Sequence, residues 1–399
     1  VDRALARYVR RTVYAYSPHY RETLDRLGLG AGGVTGWRDL ARLPPTDLRA
    51  VDDPGDLVLR PDLDNIRRLG SRWLAARAAA AGLVGTRRRF NREVLEPRFK
   101  PVHWLMSAGV PIGYSLTDLL RLADLGREWL ELAGVERHDV LVSVLAPDAS
   151  VAYWQLVGGA RRARVSALHH GPTLTARDVT RLAPSVLAGS TDALVTLLSE
   201  LRRQGGTPAA YLRTVLAVGD GRGGARVELA RLASPATVVE AWCAPGARAV
   251  WTECREASGT GLGAGFHTWA RTEVVEPSEW GLLWTGVGWS GSALLRVRTG
   301  VAGSTVDDRC PRCGRPGVRV VPDAPGWVLG ADPDVLTWFL EPRPHGAVVF
   351  VALRAGVDAA AVVRRLDAHL GALQYVVVGA REIEARLEAA GFRSELSPA

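Results

Sequence analysis

Lysine is almost missing from this chain: Lys100 is the only one in 399 residues, and arginine supplies the rest of the 50 basic side chains. The formal net charge of +8 and the pI near 9.8 are therefore an arginine effect, of the kind that accompanies a GC-rich genome. The one dense basic cluster, Arg87-Arg88-Arg89 with Arg92, Arg98 and Lys100, has no periodic aromatic residues among it. Nucleic-acid binding is thereby disfavoured, and a solvated helix face or a dock for an acidic carrier protein is the better reading. No apolar run reaches the roughly 18 residues of a membrane span, and no basic start precedes an apolar stretch at Val1-Asp2-Arg3-Ala4. A cytoplasmic, non-membrane protein is expected. Cysteine is scarce too, with four residues, which excludes a disulfide scaffold. No Gly-x-Ser-x-Gly elbow occurs, so a serine-hydrolase reading has no motif behind it.

Three of those four cysteines fall into one pattern. Cys310-Pro311-Arg312-Cys313 can grip a metal from a tight turn, and Gly314 permits the left-handed backbone such a turn needs. Cys254 and His267 are the nearest upstream candidates for the other two positions, and a strand pair would carry them to the knuckle. Cys243 is the spare; it replaces His267 in a four-cysteine alternative or is a small core residue. Four protein ligands leave no open position, so the expected ion is a structural zinc. A reduced thiol pair without metal is the competing interpretation.

The length favours two domains, a large one over 1–328 and a small one over 329–399, with a zinc subdomain at about 243–321. Residues 1 to about 50 read as helices, with Thr46 a candidate cap, and Asp64 to Ala81 as a helical stretch followed by a Gly- and Arg-rich loop. From Tyr114 the pattern alternates. Amphipathic helices at Ser115 to Ala133, Ala152 to Ala160 and Thr191 to Gln204, and a short one capped by Thr175, exchange with apolar strands at Val140 to Leu145, Arg164 to Leu168, Ser185 to Ala188 and Thr214 to Val218. Such exchange predicts a layered α/β domain with a largely parallel sheet. Residues after Val238 are rich in strand and loop, and the tail carries a strand at Ala347 to Val351, a helix at Ala359 to Leu370 and a strand at Tyr375 to Val378. The Gly259 to Gly265 run matches a dinucleotide fingerprint by letter only, since it opens no helix. Trp280, Trp284, Trp289 and Trp327 are expected to pack around the zinc segment.

Together these residues resemble the phenylacetate-CoA ligase branch of the adenylate-forming superfamily, over roughly residues 10 to 325. The resemblance rests on Ser17-Pro18-His19-Tyr20-Arg21-Glu22, Asp39 to Pro44, Trp251 to His267, Glu279-Trp280-Gly281, Leu294 to Gly300 and Cys310 to Arg315, in order and spacing. It implies the adenylate-forming fold class, an α/β layered N-terminal domain with a short α/β C-terminal appendage, and a structural zinc at Cys254, His267, Cys310 and Cys313.

The departures concern the nucleotide. The family cradles ATP phosphates with a hydroxyl-rich loop, whose counterpart here is His103-Trp104-Leu105-Met106-Ser107-Ala108-Gly109-Val110-Pro111. Its Tyr-Gly-x-Thr-Glu motif aligns with Trp242-Cys243-Ala244-Pro245-Gly246, without the magnesium carboxylate. Its ribose-binding Asp aligns with Val301, and its late catalytic Lys has no counterpart beyond Lys100. ATP with magnesium is therefore not expected as a cofactor. The acyl pocket of the family maps onto Asp148, Tyr153, Trp154, His169, His170, Gly171, Asp220 and Trp242. Of these, Tyr153, Trp154, Gly171, Asp220 and Trp242 are expected to bind an acyl or aryl group, and His169 or His170 to act as a base oriented by Asp148 or Asp220. Two loop histidines bonded to backbone are the competing interpretation. Three functions remain open: ATP-independent hydrolysis, cyclisation or transfer on an acyl group, free or as a CoA or carrier-protein thioester; non-catalytic binding of a carrier protein; and ordinary ATP-dependent acyl-CoA ligation.

Overall fold

A computed structural model describes residues 2–219, 224–257, 265–301, 303–322, 334–343, 346–370 and 374–389. Its centre is a sheet of nine strands, in the order β13 (Gly303–Arg309), β14 (Pro316–Pro322), β9 (Phe266–His267), β8 (Trp251–Thr252), β7 (Thr237–Trp242), β6 (Thr214–Gly219), β5 (Val186–Ser190), β3 (Val140–Ser143) and β4 (Ser166–His169). Five of them are parallel: β3 (Val140–Ser143), β4 (Ser166–His169), β5 (Val186–Ser190), β6 (Thr214–Gly219) and β7 (Thr237–Trp242). Both faces of β3, β5, β6 and β7 are largely buried, as their near-continuous apolar sequence requires, while β4 at the sheet edge is mostly exposed. Leu141, Val186, Leu216 and Val239 point to one side, toward helices α1 (Leu116–Leu132) and α2 (Val151–Ala163). Val142, Leu187, Val215 and Val238 point to the other, toward α3 (Ala176–Leu182), α4 (Thr191–Arg203) and α5 (Gly224–Ala233). Burying residues on alternate sides of each strand makes this a doubly wound sheet.

The helix starts are set locally. Ser115 and Asp118 form a capping box on α1, and Thr175 and Asp178 another on α3, each cap stabilising its helix by about 1 kcal/mol. The crossing of α1 and α2 depends on two glycines. A Cβ on Gly159 would sit 2.5 Å from the carbonyl carbon of Gly126, and one on Gly126 would sit 2.1 Å from the oxygen of Gln155. Backbone cannot retreat there as a flexible side chain can. Gly159→Leu is therefore expected to lower the unfolding free energy by about 3 kcal/mol, read from a denaturant titration, whereas Gly32→Ala, with open space around it and no left-handed backbone, is expected to stay within about 1 kcal/mol of the parent.

Beyond β7 the sheet turns antiparallel through β8 (Trp251–Thr252), β9 (Phe266–His267), β14 (Pro316–Pro322) and β13 (Gly303–Arg309). The cysteine-bearing strands thus extend the main sheet. A separate antiparallel sheet holds β10 (Glu273–Ser278), β11 (Gly281–Gly286) and β12 (Val297–Arg298). The N-terminal segment is anchored to it by the Thr46–Val297 bridge and by the Tyr20 hydroxyl, which accepts from the Leu295 N–H at 3.0 Å. Thr46 is no helix cap: its hydroxyl donates to the Leu295 carbonyl, and Asp47 caps the short turn instead. The Arg-rich stretch expected as loop is helical, over Arg87–Phe90, Asn91–Leu95 and Glu96–Phe99. Its middle turn is π-helical, which lets Phe90 and Leu95, five apart, both be buried.

Between the sheets lies Arg248, 1% exposed, with its guanidinium 4.0 Å from the Tyr114 ring centroid and 4.5 Å from that of Trp289. It donates to the carbonyls of Ser292 and Gly113 and faces the buried Asp118 at 3.4 Å. Asp118 also accepts from the N–H groups of Ser290 and Gly291, so the buried carboxylate is well partnered, while Arg248 Nε has no hydrogen-bond partner. Trp284 and Trp289 are buried as expected, but Trp280 is 49% exposed, stacked under Arg298; Trp327 lies outside the described residues.

The tail is a small sheet of β15 (Val335–Arg343), β16 (Gly346–Leu353) and β17 (Gln374–Val377). Helix α6 (Ala359–Leu370) packs Val362 and Leu366 on one face, and Ile383 of α7 (Ala380–Ala389) packs on the other. The boundary expected at 328 also falls outside the described residues. Among the described residues no helix is long and apolar enough to cross a membrane.

Candidate functional site

Two places in the fold carry chemistry. The first is the cysteine cluster. Strands β8 and β9 deliver Cys254 and His267, and the turn between β13 and β14 delivers Cys310 and Cys313; their ligand atoms all lie within 4.8 Å of one another. Cys254 Sγ stands 3.9 Å from Cys310 Sγ, and Cys313 Sγ stands 3.5 Å from His267 Nε2. A tetrahedral ion with metal–sulfur bonds of about 2.3 Å and metal–nitrogen bonds of about 2.0–2.1 Å requires separations of about 3.8 and 3.5 Å. The spacing fits. Gly314 has the expected positive φ of 71°, and its N–H closes the knuckle onto the Cys310 carbonyl at 2.9 Å.

The electrostatics of these four groups suit a dication. Burial, then the neighbouring Cys313 and Cys310 thiols, push the Cys254 thiol far above its ordinary range. Burial opposes ionisation of Cys310 as well, yet the N–H groups of Cys313 and Arg312 outweigh it and hold that thiol below its usual range. Burial, with Arg315 and Arg319 nearby, lowers His267 to about 4 and keeps its imidazole neutral, as a metal ligand must be. A bound cation relieves the thiol crowding directly. Cys243 lies outside this group, its thiol raised to about 12 by burial, so His267 and not Cys243 completes the set.

The second place is at the carboxyl ends of the parallel strands, the position of the ligand crevice in open α/β sheets. The order β4-β3-β5 makes the junction of β3 and β5 a topological switch point, where open α/β sheets take ligands. The rim holds a row of rings. His103 lies 4.3 Å from Trp154, Trp154 5.5 Å from Tyr153, and Tyr153 6.0 Å from His169, all edge to face. At both ends of this row a buried ring nitrogen, His103 Nε2 and His169 Nδ1, has no hydrogen-bond partner. Burial lowers the His169 pKa below the usual histidine value, so its imidazole is neutral at pH 7. His103 did not enter the site by sequence reasoning; its partner Trp154 is distant in the chain, and only the fold joins them.

The other expected residues are placed differently. His170 is exposed, with Nδ1 3.5 Å from the Thr173 hydroxyl. The N–H groups of His170 and Gly171 both donate to the Ser143 carbonyl, and Gly171 takes a φ of 86° to turn the chain back over β3. Asp148 is exposed; its carboxylate accepts from the Ser150 N–H at 2.8 Å and its carbonyl from Trp154 Nε1 at 2.9 Å. No hydrogen bond joins it to either histidine among the described residues. Trp242 is 2% exposed, with its ring centroid 5.2 Å from that of Trp251 and 5.9 Å from that of Phe266. Asp220 lies outside the described residues.

Facing the crevice, β1 (His103–Ser107) and β2 (Val110–Tyr114) form a hairpin. Its turn is only Ala108-Gly109, both with positive φ, as a type I′ turn demands. The hairpin is pinned down, with the Met106 N–H donating to the Ala149 carbonyl and the Gly246 N–H to the Ser107 hydroxyl, each at 2.8 Å. Near the end of β7, the carboxylates of Glu240 and Glu253 are held by Arg226 at 2.8–3.0 Å.

Solved structures match this architecture. An open conformation of 2-hydroxyisobutyryl-CoA ligase in complex with 2-HIB-AMP and CoA superimposes with a TM-score of 0.65 over 97% of this chain and 87% of that one, at 15% identity. The fold is that of the adenylate-forming CoA ligases. The same ligase in its postadenylation state with R3-HIB-AMP gives 0.64, again at 15% identity, over 97% of this chain and 90% of that one. A benzoate CoA ligase from Burkholderia xenovorans LB400 aligns with 69% of this chain and 64% of its own at 13% identity, with a TM-score of 0.43. Neither a protein-family model nor a curated protein sequence matches the chain.

One buried group of this ligase-type fold titrates where it can be tested. Burial raises Glu273 to about 7, against the pull of the Trp269 N–H and the Trp284 and Trp251 indole N–H groups that it accepts at 2.6–2.8 Å. Its unfolded-state value is about 4.3, so its contribution is full below that pH and is lost as pH rises through 7. Stability is expected to fall by about 2–3 kcal/mol from pH 4.5 to pH 8 on this account, and Glu273→Gln is expected to flatten that slope in urea titrations across the same range.

Proposed function

We propose that this chain is a degenerate member of the phenylacetate-CoA ligase-like branch, one that binds an acyl or aryl group at the crevice and works on it without ATP. The observation that carries this reading is the hairpin where the relatives of that branch have a phosphate loop. A two-residue turn pinned at both sides offers no loop of free amides and hydroxyls for a triphosphate. Two further features support it: the Trp242–Gly246 segment bears no carboxylate, and Glu240 and Glu253 are both engaged by Arg226. The thioesterifying and adenylating chemistry of such folds needs the groups that are missing here.

The substrate is an acyl or aryl thioester of CoA or of a carrier protein, and the group against which it lies is the ring row of His103, Trp154, Tyr153 and His169. His169 is the base. Its free Nδ1 takes a proton from water or from a hydroxyl of the substrate, whose oxygen attacks the thioester carbonyl; the carbon–sulfur bond breaks, and the proton returns from the imidazolium to the departing thiolate. Hydrolysis, cyclisation and transfer differ only in which hydroxyl attacks. The cysteine cluster holds a structural zinc that ties β8, β9 and the β13–β14 turn together and takes no part in the reaction. Aryl and acyl CoA thioesters incubated without nucleotide are expected to release free thiol, measured with a thiol-reactive dye. A full panel left intact by the zinc-loaded protein, while it still binds the thioesters, would instead favour a non-catalytic carrier-binding role.

A further inference from the structure

We propose that a second site, sharing no residue with the crevice, binds a small ligand carrying two or more phosphate groups. The site is a cavity of about 530 Å³ under the N-terminal helices, and it is lined by seven arginines and no carboxylate. Arg7, Arg10 and Arg11 come from one face of the first helical segment, a spacing of three and four residues that turns them the same way. Arg72 and Arg98 enter from two further helices, and Arg121 and Arg271 close the far wall.

Most of the charge there is uncompensated. Arg11 donates to the Gly70 carbonyl at 3.0 Å, and Arg121 is shared between the Gly288 carbonyl and Asp118, itself already facing Arg248. Arg7, Arg10, Arg72, Arg98 and Arg271 have no ion pair among the described residues. Elsewhere on this surface arginines find acids on the next helical turn, as Arg89 does with Glu93 and Arg386 with Glu382. Convergent unpaired cations repel one another unless an anion is present.

A separate observation points to a ligand. Tyr16 lines the same cavity at 1% exposure, and its hydroxyl has no hydrogen-bond partner. A buried hydroxyl left unmade costs about 1–3 kcal/mol, and an acceptor oxygen on a bound ligand removes that cost. Arginine forks match phosphate oxygens in pairs, and a single anion of one charge would leave most of these seven unneutralised. The volume is that of a small-molecule site rather than of a polynucleotide track. Tyr8, Leu74 and Phe99 supply an apolar floor for the rest of the ligand. An adjoining cavity of about 290 Å³ shares Arg7 and Arg10 and adds Arg3. No residue of the crevice lines either cavity.

Calorimetric titration of inorganic tripolyphosphate into the full chain at low salt tests the proposal. One site per chain is expected, weakened at least tenfold in an Arg10→Ala/Arg98→Ala variant and unchanged in an Arg87→Ala/Arg88→Ala variant, whose arginines lie outside the lining. Both pairs are exposed, so their melting curves are expected to match the parent. Tyr16→Phe is expected to weaken binding several-fold. Absence of binding, equal losses in the two double variants, inorganic phosphate binding as tightly as tripolyphosphate, or a single-stranded polynucleotide binding more tightly with equal sensitivity to both variants would each overturn it.

Discussion

Cys310→Ser/Cys313→Ser is expected to abolish stoichiometric metal binding and to unfold the antiparallel half of the main sheet at ordinary temperature. The reason is the placement of the ligands. Cys254 follows the two-residue strand β8 and His267 sits on the two-residue strand β9, which share little backbone pairing with their neighbours, and the knuckle projects from the β13–β14 turn. Four donors from three separate stretches are thus joined at one point, and structural zinc in small domains is worth about 10–16 kcal/mol at neutral pH. Even a fraction of that exceeds what short strands supply. Metal content by plasma emission spectroscopy is expected at one zinc per chain in the parent and none in the variant. A strong chelator is expected to reproduce the variant's loss of melting temperature in the parent, and zinc to restore it. A parent that holds no metal after purification with zinc, and that melts unchanged in chelator, would leave the cluster as reduced thiols.

His169→Ala is expected to lower thioester turnover by about 10²–10⁴-fold, the usual range for a positioned general base, with the fold unchanged because the ring lies on edge strand β4. The pH profile carries a separate signature. Burial holds the His169 pKa below the usual histidine value, so the basic form is already dominant near neutrality. Activity is expected to rise with pH with its midpoint on the acid side of 6.5 and to be flat above 7. His170→Ala, at an exposed position whose nitrogen faces Thr173, is expected to stay within a few-fold of the parent. Equal rates for His169→Ala and parent would remove His169 from the mechanism.

The parallel sheet was legible in the sequence because burial on both faces leaves continuous apolar runs, as at Val186-Leu187-Ala188 and Thr214 to Val218, and because Ser115-Asp118 and Thr175-Asp178 announce helix starts at the residues where they occur. Other elements were hidden for physical reasons. The β1–β2 hairpin turns through Ala108 at a φ of 51°, a conformation that alanine does not advertise, and Pro111 in β2 speaks against a strand. The π-helical turn at Asn91–Leu95 shifts the apolar spacing from four to five, so a period of 3.6 misses it. Strand β15 ends in Glu341-Pro342-Arg343, which looks like loop.

At the site, the metal ligands were legible because thiols and imidazole at such spacing have few other uses. Asp148 was a natural partner for a histidine by composition, but the loop conformation turns its carboxylate to Ser150. The link of His103 to Trp154 joins a hairpin to the start of α2 and exists only once both are folded. The arginine cavity was invisible for the same reason: its charges come from five separated stretches, and the basic run that attracted notice in the sequence, Arg87-Arg88-Arg89, lies outside it.

The central claim is independence from ATP, and acid-dependent exchange of labelled pyrophosphate into ATP tests it most directly, because exchange reports formation of an acyl adenylate and is blind to nucleotide held elsewhere on the surface. Zinc-loaded protein with magnesium and a panel of aryl and aliphatic acids is expected to give no exchange above the acid-free blank, while the same preparation releases thiol from the corresponding CoA thioesters. Exchange that appears only when one of the acids is present would contradict the account and make the chain a working ligase.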